Sequence, residues 1–166
     1  MIRFEGVSKQ YRKGEITIRA LDDVSFEVET GRLALVQGPS GSGKTTLINL
    51  AAGLSHATRG SITVAGTCLD DLSIRERAAL RAREVAVVFQ LFHLVPYLTA
   101  LENVLLPTLA GSGRDGAPER ARGLLAELGL EARSSHYPDE MSAGERQRCA
   151  LARALLNEPN VILADE

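Results

Sequence analysis

The residues best suited to chemistry stand together at positions 38–45, Gly-Pro-Ser-Gly-Ser-Gly-Lys-Thr. They fit the pattern G-x-x-x-x-G-K-[ST], in which glycines let successive backbone N–H groups approach a bound phosphate. In this pattern Lys44 reaches the β- and γ-phosphates, and the Thr45 hydroxyl binds Mg²⁺. The spacing therefore predicts a loop that binds a nucleoside triphosphate.

This pattern needs a strand before it and a helix after it. The apolar run Leu33-Ala34-Leu35-Val36 predicts a buried strand, and residues 46–52 predict a helix that begins near Lys44. Gly53 is a plausible C′ residue for that helix, whose positive end would face the phosphate. The alternative, a Gly/Ser-rich turn with an incidental lysine, leaves these flanking elements unexplained.

Polar side chains also follow two other apolar runs. Asp165 and Glu166 come after residues 161–164, so Asp165 can hold Mg²⁺ through water and Glu166 can orient or deprotonate an attacking water. Gln90 follows the run 85–89, and its carbonyl oxygen can reach Mg²⁺ or the same water. Taken alone, each is also explained as a solvated polar residue at the end of a strand.

A capping box at Ser142-Ala143-Gly144-Glu145 predicts a helix that runs to Leu156. Capping explains Ser142 and Glu145, but not Gly144, since glycine is a poor residue for the first turn of a helix. A glycine there lets a group such as a phosphate approach the free N–H groups. Two further boxes predict helices, at 73–76 with an end near Arg83 and at 99–102.

Two apolar or aromatic features have two interpretations each. Tyr11 lies in the polar stretch 9–14, which predicts a turn. Its ring could stack on a base or cover a sheet edge. The run Leu91–Leu98 is largely apolar without helical or strand periodicity. It could be an internal core cluster or a docking surface for a partner.

The remaining pattern predicts an α/β protein. Residues 1–30 alternate as short antiparallel strands would, and residues 60–66 predict another strand. We expect 1–71 and 158–166 to form the nucleotide-binding core and a β subdomain. About 72–157 then form a mainly helical lobe, with a glycine-rich linker at 111–118 and Pro118 in the first turn of the next helix.

Composition excludes several classes of protein. The 166 residues suit one domain, and 19 basic against 21 acidic residues, a net charge of −2, give no nucleic-acid footprint. No apolar run approaches the roughly 20 residues that span a bilayer, and the N-terminus lacks the apolar stretch of a signal peptide. Cys68 and Cys149 fit no metal spacing and predict reduced cytosolic thiols.

Together these residues resemble the nucleotide-binding domain of ATP-binding-cassette (ABC) proteins. The loop 38–45 matches the family's Walker A motif, Asp165 its Walker B, Glu166 its catalytic glutamate, and Gln90 its Q-loop glutamine. Met141–Glu145 resembles the family signature, usually Leu-Ser-Gly-Gly-Gln. The resemblance implies nucleotide binding by Tyr11, Gly38, Pro39, Ser40, Gly41, Ser42, Gly43, Lys44, Thr45 and Thr46.

The resemblance also implies a P-loop fold of ABC type, with a mixed core sheet around the phosphate loop, an N-terminal antiparallel β subdomain and a helical subdomain. The cofactors would be ATP and Mg²⁺, bound between two nucleotide-binding domains in a homodimer or heterodimer. The stretch from Phe89 to Val104 is similar to the subgroup that exports lipoproteins or macrolides. A membrane permease would dock near Leu91–Leu98 and hold the protein at the cytoplasmic face.

Rival functions remain. One is an ATP-dependent dimerising switch without transport, as in relatives that act in cell division. The other is a soluble ABC-type protein that acts on DNA or ribosomes, which the near-neutral charge and the apolar loop disfavour.

Two departures from the family pattern carry expectations. Ala143 replaces the first glycine of the signature, so its methyl group should weaken or alter a contact with the γ-phosphate. The family continues beyond the position of Glu166 with a dimer-contacting loop, further strands and a histidine. From this we expect a fragment or an inactive truncated product, with low stability as an isolated chain.

Overall fold

A long antiparallel hairpin opens the chain, where the alternation predicts several shorter strands. The computed structural model describes residues 1–110 and 115–165. Strand β1 (Ile2–Lys13) pairs with β2 (Ile16–Val28) and, along its other edge, with β3 (Arg59–Val64). The two-residue β4 (Thr67–Cys68) completes a sheet in the order β2-β1-β3-β4, which confirms the antiparallel prediction.

The core of this sheet is apolar on one face. Phe4 and Val7 of β1 are buried, and the Phe4 ring stacks on Phe26 with 4.7 Å between ring centres. Ile62 and Val64 of β3 are buried beside them. The alternation of apolar and polar residues therefore corresponds to a sheet with one buried face and one solvent-exposed face.

The predicted buried strand at residues 33–36 is wrong. Residues 32–39 form neither helix nor strand, and Leu33 and Leu35 are 98% and 79% exposed. Within the described residues no strand pairs with this run. A strand without a neighbour leaves its backbone groups and apolar side chains in water, so the apolar composition alone cannot form one.

Helix α1 (Lys44–Ala51) and most of α2 (Ile74–Glu84) belong to the first of two compact units, which comprises Met1–Arg81 together with Asp165. Helix α1 ends as predicted, with the Gly53 N–H bonded to the Leu50 carbonyl and φ 64° at the glycine. Helix α2 begins at the predicted capping box, in which the Ser73 N–H donates to Glu76 Oε2 at 2.8 Å.

The described residues of the second unit, Ala82–Ala164, contain a short parallel sheet and three complete helices. Strand β5 (Val85–Val88) pairs in parallel with β6 (Val161–Ala164), and continuous apolar runs are typical of such strands. The helices are α3 (Ala100–Leu105), α4 (Ala117–Glu127) and α5 (Ala143–Leu155), with 3₁₀ turns at Leu106–Ala110, Glu131–Arg133 and Pro138–Glu140.

The packing of α3, α4 and α5 forms the main core of this unit. Its buried members are Ala100, Val104, Ala121, Leu124, Leu125, Leu130, Met141, Cys149, Ala152 and Leu156. Each fully buried leucine contributes about 1.5–3 kcal/mol relative to an exposed one. Pro118 lies in the first turn of α4, as predicted, and residues 111–114 of the predicted linker lie outside the described residues.

Within the part of the chain that the structure describes, every helix is too short or too polar to cross a bilayer.

Candidate functional site

The phosphate loop ends at a helix N-terminus that no side chain caps. Gly43 is the N-cap residue of α1, with φ 94°, and makes no side-chain capping hydrogen bond. A Cβ at this position would lie 2.4 Å from the Ala20 carbonyl oxygen, so both the backbone angle and the space require glycine. Because the first N–H groups of a helix have no intrahelical acceptor, this end of α1 can donate to an anion.

The Lys44 side chain folds across the same loop. Its Nζ donates to the carbonyl oxygens of Gly38 at 2.9 Å and Pro39 at 3.0 Å. The Ser42 N–H also donates to the Pro39 carbonyl at 3.2 Å. The loop therefore holds a cation beside the positive end of α1, and this donor set fits a polyphosphate.

Tyr11 lies on strand β1 and not in the predicted turn. It pairs with Ile18 of β2, and the turn follows at residues 14–15 because the hairpin extends to Lys13. Its side chain is 41% exposed, and Lys9 Nζ stands 4.9 Å from the centre of its ring. The Lys9 ammonium therefore lies over one face of the ring, and stacking on a base stays a prediction.

The loop after Gln90 divides its apolar residues between inside and outside. Gln90 is exposed just past β5, as predicted. Leu94 packs against the helical core, whereas Leu91 and Tyr97 are 77% and 78% exposed. The core interpretation of residues 91–98, which we call the Leu91–Leu98 loop, therefore holds for Leu94. Docking of a partner on the exposed residues stays a prediction.

Two polar side chains that the sequence analysis missed shape this loop. Asn103 of α3 is buried; its Nδ2 donates to the carbonyls of Val95 and Leu98, and its Oδ1 accepts from the Val95 N–H at 2.7 Å. Arg153 of α5 donates to the Phe92 and His93 carbonyls. The sequence carries no local signal for the Arg153 contacts, because the partners are 60 and 61 residues apart.

The signature segment forms a complete capping box at the start of α5. The Ser142 N–H donates to Glu145 Oε2 at 2.7 Å, and Ser142 Oγ accepts from the Glu145 N–H at 3.3 Å. Arg133 Nε, also missed from sequence, donates to Glu145 Oε1 at 3.0 Å. The Ser142 backbone N–H, the Ser142 hydroxyl and Arg133 together lower the pKa of Glu145 to about 2.

Ser142, Ala143 and Gly144 are exposed at this end of α5. A Cβ added at Gly144 would approach only Arg148 Nη1, at an ordinary 3.6 Å. Nothing within the described chain therefore requires glycine there, and the approach of an external group stays the reason predicted for it.

The acidic end of the chain is described in part. Asp165 follows β6 directly, as predicted, and Glu166 lies outside the described residues. Tyr11, the phosphate loop and Asp165 belong to the first compact unit, whereas Gln90 and the signature segment belong to the second.

A comparison with protein families decides the assignment. A family model described as ABC transporter matches residues 21–166. The chain belongs to the ABC transporter family. The expected resemblance to the subgroup that exports lipoproteins or macrolides is also confirmed. The curated relatives of this ABC chain include a macrolide export protein and a lipoprotein-releasing system protein.

It is 45% identical over 166 residues to the macrolide export ATP-binding/permease protein MacB of Rhodopseudomonas palustris, covering 99% of this chain and 25% of that one. It is also 45% identical to the lipoprotein-releasing system ATP-binding protein LolD of Bordetella avium, covering 99% of this chain and 72% of that one.

Among solved structures, a dimeric post-hydrolysis state of the ATP-binding cassette MJ0796 bound to ADP and Pi matches with a TM-score of 0.92 and 38% identity. The match covers all of this ABC chain and 74% of that one. The predicted α/β fold of ABC type is therefore confirmed. The chain spans a quarter of the MacB relative and about seven-tenths of the LolD relative.

Proposed function

We propose that this ABC chain binds and hydrolyses ATP, and that hydrolysis powers export or extraction of a substrate through a membrane permease. The observation that carries the proposal is the Lys44 ammonium held across the loop at the uncapped start of α1. The names of the LolD and MacB relatives, a lipoprotein-releasing system and a macrolide exporter, support the transport role.

Within one chain, each candidate residue takes one task. The Lys44 ammonium and the backbone N–H groups of residues 38–46, except Pro39, which has none, hold the phosphates, while Tyr11 stacks on the base. Thr45, Gln90 and Asp165 hold Mg²⁺, which when bound supplies positive charge that offsets the charge of the phosphate oxygens. Glu166 orients or deprotonates the attacking water.

The signature segment serves the ATP of a second nucleotide-binding domain. Ser142, Ala143 and Gly144 are exposed, and the phosphate loop already has α1 as its own helix N-terminus. A second copy can therefore present α5 to the outermost phosphate, so that ATP bridges two chains. The dimeric state of the MJ0796 cassette supports this arrangement.

The permease would dock on the Leu91–Leu98 loop at the cytoplasmic face of the membrane. Leu91 and Tyr97 present large apolar surfaces to solvent while the rest of the loop is anchored. Side chains of this size gain most from a partner that covers them.

The test is ATP binding and turnover in the full-length protein. Lys44→Ala should weaken ATP·Mg²⁺ binding by about 10- to 100-fold, because a hydrogen-bonded ammonium on a phosphate is lost. Arg32→Ala is the matched control: it removes the same charge from an exposed side chain that lies 3.9 Å from Glu29. Glu166→Gln should bind ATP normally and stop turnover. Isothermal titration and phosphate release report the two quantities.

Equal affinity in Lys44→Ala and Arg32→Ala would contradict the binding site. Normal turnover in Glu166→Gln would remove Glu166 as the base. Co-purification with a permease that translocates a substrate supports transport, whereas ATP-dependent dimers without any permease would favour the switch.

A further inference from the structure

The beginning of the Leu91–Leu98 loop has an unusual backbone. Phe92 and His93 are consecutive and both have positive φ, 59° and 46°. Residues with a Cβ rarely adopt this left-handed conformation, and large side chains do so least of all. Such a pair persists only where surrounding contacts hold it.

The contact that holds this pair comes from α5. Arg153 Nη2 donates to the Phe92 carbonyl at 2.6 Å, and Nη1 donates to the His93 carbonyl at 2.8 Å. The planar fork of a guanidinium can bond two neighbouring oxygens at once, which a lysine ammonium does less well. The edge of the Phe89 ring against the His93 ring, with centres 5.0 Å apart, adds to the same conformation.

The second half of the loop is anchored separately. Asn103 bonds Val95 and Leu98, and it lies on α3, which packs against α5. Cys149 of α5 also donates through Sγ to the Ala100 carbonyl at 3.6 Å. Arg153 therefore links α5 directly to Phe92 and His93.

We propose that Arg153 is a positioning residue that makes the Leu91–Leu98 loop move with α5 and that keeps Gln90 in place. Gln90 lies two residues before Phe92, and Ser142 lies about 16 Å along the helix from Arg153 at 1.5 Å per residue. A displacement at Leu91 or Tyr97 is then transmitted to both groups. This inference rests on the proposed function only for the roles of Gln90 and Ser142 in ATP binding and hydrolysis.

The first test measures amide hydrogen exchange in the full-length protein. Arg153→Gln should speed exchange of residues 91–98 by about tenfold or more, because the loop loses both bonds to α5. Arg153→Lys should give an intermediate rate, since an ammonium retains one bond. The control Arg122→Gln removes an exposed arginine of α4, 3.8 Å from Glu119, and should leave the loop unchanged.

A rescue variant distinguishes positioning from general loosening. His93→Asn in the Arg153→Gln background should restore part of the protection, because asparagine tolerates the left-handed backbone better than histidine. Unchanged exchange in Arg153→Gln would overturn the proposal. So would an equal acceleration throughout α4, which would make Arg153 an ordinary packing residue.

The second test separates kcat from KM in ATP hydrolysis. Arg153→Gln should lower kcat by about tenfold, as misplaced groups at a reacting centre do, while KM for ATP stays within about twofold. An unchanged kcat, or a loss confined to KM, would overturn the proposal. If the parent protein does not hydrolyse ATP, the proposed function fails, and the exchange measurement still decides the role of Arg153.

Discussion

The two helix N-termini proposed to bind phosphate differ in how the chain satisfies them. The first helix, α1, starts at a glycine with no side-chain cap and no acidic residue in its first turn. The second, α5, starts at a full capping box whose carboxylate is also paired with Arg133. The phosphate-loop motif therefore leads to a helix start without a side-chain cap, whereas the signature segment supplies its own cap.

The segments that lead into these helices differ in the same way. Residues 31–40 before α1 are all exposed, whereas Pro138 and Met141 before α5 are buried. The start of α1 makes no side-chain capping bond, so its donors are available for a ligand, whereas at the start of α5 the Ser142 side chain already accepts from the Glu145 N–H. We conclude that ligand binding should stabilise the phosphate loop far more than the signature segment.

The largest expected effect is on the free energy of unfolding, and it should differ between a buried leucine and an exposed leucine. Leu125→Ala should lower the free energy of unfolding of the helical unit by about 2–5 kcal/mol, because the side chain is fully buried. Leu35→Ala should change stability by less than about 0.5 kcal/mol, because its side chain is 79% exposed. Urea unfolding followed by circular dichroism compares the two. A similar loss in both variants would mean that residues 33–36 are packed after all.

The next effect concerns the caps. Ser142→Ala should destabilise the helical unit by about 1 kcal/mol, because the Glu145 N–H loses its acceptor. Gly43→Ala should also destabilise, despite the better helix propensity of alanine, since its Cβ would meet the Ala20 carbonyl at 2.4 Å. Thermal melts measure both. A more stable Gly43→Ala variant would contradict the described loop geometry.

The smallest effect is the pH dependence at Glu145, which has no counterpart in α1. Its pKa is lowered from 4.5 to about 2, so its stabilisation is complete above about pH 5 and is lost as the pH falls from 4.5 towards 2. The difference in melting temperature between the parent and Glu145→Gln should be constant from pH 8 to 5 and change only below. A change centred near pH 6 would exclude Glu145 as its origin.

Much of the second unit follows from local patterns. Capping boxes at Thr99 and Ser142 predict the starts of α3 and α5, and both boxes form with the expected hydrogen bonds. The parallel pairing of β5 with β6 also agrees with the continuous apolar runs. The helix starts are predictable because the groups of a capping box lie within four residues, and each strand is predictable because its apolar run is continuous; which strand pairs with which is decided by the fold.

The failures are of another kind. The run Leu33–Val36 has the composition of a buried strand, but a strand needs neighbours, and the described chain places none beside it. Tyr11 is on a strand because the hairpin pairing continues to Lys13, although the residues around it are polar. Strand pairing, which the composition of a single run does not encode, decided both cases.

The sequence by itself determined the phosphate-loop motif, the helix caps and the family, since each depends on residue types at short fixed spacings. The tertiary structure alone decided that Lys44 bonds Gly38 and Pro39, that Arg133 pairs with Glu145 and that Arg153 holds Phe92 and His93. An arginine side chain finds its acceptor by spatial proximity, which packing creates and residue spacing does not reveal.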